Sequence, residues 1–119
     1  MSKQRPEPIV QRHVQDLNHL LELSEDKLIF LDVHADWCGP CNALNPFLNQ
    51  LWIDLEDPEK RILLTSISTE IAGKDGLKLI QKWAGNEVKI EQNGCKPLFI
   101  VLRHGQAVGK FFFFFYFYT

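Results

Sequence analysis

The sequence predicts an α/β domain, on three observations. The stretch "KLIFLDVH", residues 27–34, is a nearly continuous apolar run of strand length, as expected of a strand covered on both faces and therefore central in its sheet. Behind it, Leu44, Leu48, Leu51, Trp52 and Leu55 recur at three- and four-residue spacings, which makes one apolar face of a helix running from about residue 38 to 56. Ahead of it, Val14, Leu17, Leu20 and Leu21 form a helix-like stretch. A chain of 119 residues, 45% hydrophobic and 24% charged, supplies one domain with an ordinary core and too little material for two.

Composition removes several function classes. The net charge of −2 and the scattered lysines give no basic stripe for nucleic acid. Residues 1–12 read as a polar, proline-bearing N-terminal arm. Before the C-terminal tail the apolar runs are strand-sized, so neither a signal peptide nor a membrane span is expected and the protein reads as cytoplasmic. Three cysteines in a reducing compartment argue against a disulfide framework and make the pair in "WCGPC", Cys38 and Cys41, catalytic or metal-binding. A closed zinc site would bring a second ligand pair. Cys95 stands alone, and His13, His19, His34 and His104 are scattered without ligand spacing. No metal site is expected, and a working redox couple is the better reading.

The pair falls where the strand turns into the helix. Unsatisfied backbone N–H groups and the helix dipole stabilise negative charge there, which makes Cys38 the reactive thiolate. Cys41, one turn further in, stays protonated and shielded. A spacing of three lets both sulfurs share one helix face.

The motif "DWCGPC" resembles the active site of thioredoxins, and the likeness runs over roughly residues 27–109. Pro46 occupies the place of the family's helix-kinking proline. Asp32 matches its buried aspartate beneath the second cysteine, and Pro97, in "CKPLFIVLRHGQ", matches its cis-proline. The resemblance implies a thioredoxin fold: a central mixed β-sheet flanked by helices on both faces, with "RILLTSIS" another buried strand and "GKDGLKLIQKWAG" a connecting helix. It also implies a mechanism in which Cys38 attacks a substrate disulfide and Cys41 resolves the mixed disulfide. Asp32 takes the proton from Cys41; the alternative is a strand-end aspartate satisfied by local backbone N–H groups. Trp37, with Gly39 and Pro40, offers a contact surface for substrate, although Trp37 also reads as a packed aromatic. Pro97 leaves the backbone of Lys96 free to pair with an extended substrate. No bound cofactor is implied beyond the Cys38–Cys41 disulfide, which a separate reductase would recycle.

Departures from the family pattern carry information too. Leu64 and Thr65 stand where a lysine usually lies near the buried aspartate, so proton handling is expected to be less efficient. The segment ahead of Pro97 is longer than a minimal thioredoxin needs, and "NEVKIEQNG" reads as an exposed inserted loop. Trp83 reads as core. Cys95, in a Cys-x-Pro arrangement, reads either as a small buried apolar residue or as a regulatory thiol. Together with "LWIDLEDPEKRILL" it resembles thioredoxin modules of cilia and flagella, including the thioredoxin-like light chains of outer-arm dynein.

The tail "KFFFFFYFYT" lacks both strand alternation and helical period. It reads either as a mis-predicted gene end, with the family's terminal helix missing, or as an edge strand covered by something else. Residues 111–119 are thus an aromatic low-complexity tail. Two functions follow. One is a general oxidoreductase acting on protein disulfides; the other is a redox-sensing module docked on a larger assembly, such as a dynein heavy chain or another axonemal protein in a cilium, the missing helix and extra loop favouring the latter.

Overall fold

Alternation along the central strand decides the layering. The computed structural model describes residues 4–37, 44–85 and 98–112, the side chains of 110–112 excepted. Strand β2, Leu28–His34, is buried along its middle. Its residues Ile29, Leu31 and Val33 join one hydrophobic cluster and Phe30 joins another, because successive side chains of a strand point to opposite faces. Both faces therefore need cover, and the helices supply it.

The remaining elements are β1 (Ile9–Val10), α1 (Asp16–Leu23), α2 (Asn45–Asp54), α3 (Pro58–Arg61), β3 (Ile62–Ser68), α4 (Thr69–Ala84), β4 (Leu98–Arg103) and β5 (Gln106–Phe112). They build a five-stranded mixed sheet in the order β1-β3-β2-β4-β5. Strands β1 and β2 both run parallel to β3, whereas β4 is antiparallel to β2 and β5. The chain steps over β3 between β1 and β2 and steps back from β2 to β3. Right-handed crossovers in opposite directions put their helices on opposite faces. Leu17 and Leu20 of α1 accordingly pack with Ile29 and Leu31, joined by Ile80 and Trp83 of α4. Leu48 and Trp52 of α2 pack with Phe30, Leu64, Phe99 and Val101 on the other side. Trp83 is core, as expected.

Strand β1 lies inside the stretch read as a polar arm. It is two residues long, with both side chains more than half exposed, and it is held by backbone: Ile9 and Val10 pair with Thr65 and Ser66, and the N–H of Gln11 donates to the Ser66 carbonyl. Helix α4 starts at Thr69, four residues ahead of the "GKDG" stretch, because the Ser68 hydroxyl accepts the Ile71 N–H and caps it. It bends at Gly73, whose φ of 63° belongs to the left-handed region. The described part of the second helix is Asn45–Asp54. It stops short of the expected residue 56 because Leu55 is already extended ahead of the Asp57-Pro58 turn. Pro46 lies in its first turn, where a missing N–H is tolerated.

Strands β4 and β5 are joined by a two-residue turn with positive φ at both His104 and Gly105, the sign that a tight hairpin of this twist needs. Ser24 clamps it: its carbonyl accepts the His104 N–H, and its hydroxyl accepts the Gly105 N–H while donating to the Leu21 carbonyl. Strand β5 carries Phe111 and Phe112 opposite Phe99 and Leu98, so the aromatic run begins within the sheet. The inserted loop at 86–94 and residues 113–119 lie outside the described residues.

Candidate active site

The crossover reverses direction at β2, and in open α/β sheets chemistry gathers beyond the strand ends at such a switch point. Strand β2 ends at His34, a turn carries Asp36 and Trp37, and the chain is described again from Leu44 into α2. Cys38, Gly39, Pro40 and Cys41 lie in the intervening segment, outside the described residues. So do Cys95, Lys96 and Pro97, including the cis-proline expectation. Their points of attachment are adjacent: Leu98, which opens β4, pairs with Val33 near the end of β2.

Beneath these attachments the apolar face under α2 gives way to polar side chains. Asp32 and His34 follow Phe30 at two-residue steps on that face, opposite Ser66 and Ser68 of β3. Asp32, Ser66 and Ser68 are buried. The Nδ1 of His34 lies 3.6 Å from Oδ1 of Asp32, with the two side chains 11% and 8% exposed, an ion-pair separation when the imidazole is protonated. Nδ1 is itself buried and has no hydrogen-bond partner among the described residues. Asp32 thus occupies an interior position near the end of β2. At the positions without the family's lysine, Leu64 is packed in the α2-side cluster. Thr65 spends its hydroxyl on the Phe30 carbonyl at 2.9 Å.

The turn that leads into the cysteine motif is tied to α4. The Asp36 N–H donates to Oε2 of Glu70 at 2.9 Å, and the Thr69 hydroxyl donates to the same oxygen at 3.1 Å. The Asp36 N–H is the leading reason that the Glu70 carboxyl is held below its usual range. The Glu70 backbone N–H follows, and the His34 charge contributes least. Trp37, at the end of this turn, is 74% exposed, so it is a surface aromatic and not a core one. Ile71, in the first turn of α4, is also exposed.

His34, Ser68 and Glu70 were not singled out from sequence. A signal existed for the first: counting in twos from Asp32 along a buried strand puts His34 on the same face. Among the described residues no group of three or more His, Cys, Asp or Glu side chains converges as a metal site would require. No described helix is long and apolar enough to cross a membrane.

Residues 10–111 match the family model described as Thioredoxin. Among curated proteins, Thioredoxin-T of Drosophila melanogaster is 28% identical over 84% of this chain, which spans 54% of that relative. Thioredoxin of Oryctolagus cuniculus is 35% identical over 77% of this chain and 72% of its own length. The 14 kDa light chain of the flagellar outer-arm dynein of Chlamydomonas reinhardtii is 29% identical over 67% of this chain and 50% of its own. Among solved structures, the reduced thioredoxin pre-protein of Schistosoma mansoni superposes with a TM-score of 0.53 at 24% identity, covering 88% of this chain and 84% of that one.

Proposed function

Because the chain belongs to the thioredoxin family, we propose that it exchanges a Cys38–Cys41 dithiol with disulfides of other proteins. The observation that carries this reading is the Cys-Gly-Pro-Cys sequence between the end of β2 and the start of α2, at the switch point of the sheet. The Cys38 thiolate attacks one sulfur of a substrate disulfide, whose bond breaks, leaving a mixed disulfide and a substrate thiolate. Cys41 gives its proton to the Asp32 carboxylate and attacks Cys38. The mixed disulfide breaks, the second substrate thiolate leaves, and a Cys38–Cys41 disulfide remains. The substrate has gained two electrons; a separate reductase returns them to the pair. Trp37, Gly39, Pro40, Lys96 and Pro97 form the substrate contact, and Cys95 is the candidate regulatory thiol.

Alkylation rates against pH in single mutants test the assignment. Cys38 in Cys41→Ser is expected to react faster near neutral pH than Cys41 in Cys38→Ser, and the reverse order would overturn it. In the Cys41→Ser variant the mixed disulfide cannot resolve, so partners stay covalently trapped.

The similarity to the flagellar dynein light chain supports a second reading, a redox-sensing light chain docked on a dynein heavy chain or another axonemal protein. A general reductase working in the cytoplasm would trap many soluble substrates. A docked module in a cilium would instead co-purify with one large assembly, with or without the Cys41→Ser substitution.

A further inference from the structure

Four polar side chains crowd the ends of β2 and β3 under α2, and His34 is the ionisable member that the dithiol cycle above leaves without a task. Its Nδ1 is buried, lacks a hydrogen-bond partner among the described residues, and faces Oδ1 of Asp32 at 3.6 Å. A bare imidazole lone pair turned toward a carboxylate oxygen is repulsive, and a buried nitrogen with nothing to bond carries its full desolvation cost. A proton on Nδ1 removes both penalties, since it converts the facing lone pair into a donor. The separation of 3.6 Å lies just beyond a formed hydrogen bond.

Among the described residues, few other directions are open to Nδ1. On β3 the residues opposite are the uncharged Ser66 and Ser68, with Ser68 engaged in capping α4. On β4 the residues beside this end of β2 are Leu98 and Phe99. The first turn of α2 carries no acidic residue. In the first turn of α4 the charged residue is Glu70, already holding the Asp36 N–H.

We infer that His34 carries its proton on Nδ1, directed at Asp32, and so acts as a positioning residue that holds this carboxylate ready to accept the Cys41 proton. The inference rests on the dithiol reading for its functional part, and its structural part stands alone. In the resolution step the Cys41 S–H proton passes to Asp32, the Cys38 mixed disulfide breaks, the Cys38–Cys41 bond forms, and the departing thiolate takes the electron pair. His34 loses and gains no electrons; its Nδ1–H fixes where the carboxylate sits.

Two measurements on the full chain test this. In long-range 1H–15N spectra of the reduced protein, His34, assigned by the signal that His34→Gln removes, is expected to show a protonated Nδ1. That protonation should be lost or mixed with the Nε2–H form in Asp32→Ala. For function, Cys38 is loaded with 5-thio-2-nitrobenzoate and release of the coloured thiolate by Cys41 is timed. His34→Gln should slow release roughly tenfold, less than the 10²–10⁴ of a directly acting acid or base, and should add less than twofold in an Asp32→Asn background. A bare Nδ1 in the unmutated protein overturns the inference, as does a His34→Gln effect that multiplies fully with Asp32→Asn. If the unmutated protein releases no thiolate at all, the dithiol reading fails, and the spectra still decide the His34–Asp32 contact. Amide dispersion checks that each variant is folded.

Discussion

Gly76→Ala sets two effects of similar size against each other, and the geometry of α4 decides between them. Alanine is favoured over glycine inside a helix by about 1 kcal/mol, so on propensity alone the variant would be more stable. A Cβ built at Gly76, however, comes 2.8 Å from the Ala72 Cβ, 3.1 Å from Val14 Cγ2 and 3.2 Å from Leu17 Cδ1. The Ala72 Cβ cannot rotate away, because it is fixed to backbone on the far side of the Gly73 bend. Leu17 is fully buried in the core between α1 and the sheet. Overpacking of this kind costs about 1–3 kcal/mol. With the upper half of that range set against the propensity gain, the variant should be less stable by about 1–2 kcal/mol. Unfolding entropy of about 2.1 cal/mol/K per residue gives about 0.25 kcal/mol/K for this chain, so Tm should fall by about 4–8 °C. Thermal and urea unfolding measure it. A Tm equal to or above that of the unmutated protein would mean that α1 and α4 have room to separate, and the tight approach at Gly76 would be discarded.

Two further outcomes follow from the hydrogen bonds of Glu70 and Ser24. Glu70 has a folded pKa below its ordinary value, so the stability it supplies is present above about pH 4.3, the unfolded glutamate range, and is lost as pH falls through its own lower pKa. Glu70→Gln should therefore lower the urea midpoint at pH 7 and lower it progressively less as pH falls below the glutamate range; an equal loss at every pH would show that the carboxylate charge is irrelevant. Ser24→Ala removes the acceptor of the Gly105 N–H and the donor to the Leu21 carbonyl at a fully buried position. It should cost about 1–3 kcal/mol, or a Tm lower by about 4–12 °C, and an unchanged Tm would mean that the hairpin turn does not depend on the clamp.

What could be read from the sequence is what burial writes into it. Strand β2 was legible because both of its faces are covered, and α1 because Leu17, Leu20 and Leu21 repeat at a helical period. Strand β1 was not, since Ile9 and Val10 are exposed and the backbone ladder to Thr65 and Ser66 leaves no trace in side-chain pattern. The first turn of α4 was hidden for a different reason: Gly73 interrupts the period, and the helix is started by a cap from Ser68. The cysteine pair stands out in the sequence through its spacing alone. His34 was not, because a lone histidine acquires meaning only through the strand register that sets it beside Asp32.

That register explains why the polar layer lies where it does. Strands β2 and β3 are parallel with Asp32 opposite Ser66 and His34 opposite Ser68, so their carboxyl ends coincide and their polar residues form a single patch. Further back on the same face, Phe30, Leu64, Phe99 and Val101 take the apolar contact with α2. A buried polar patch is costly unless its members satisfy one another, and a domain of this size has only about 5–15 kcal/mol of net stability to set against that cost. Capping by Ser68 and the tie from Glu70 to Asp36 offset part of it. The His34 imidazole faces the Asp32 carboxylate, and departures of this sort from an apolar interior concentrate where a protein does its chemistry. Through Glu70, α4 is tied to the turn that follows the same strand end.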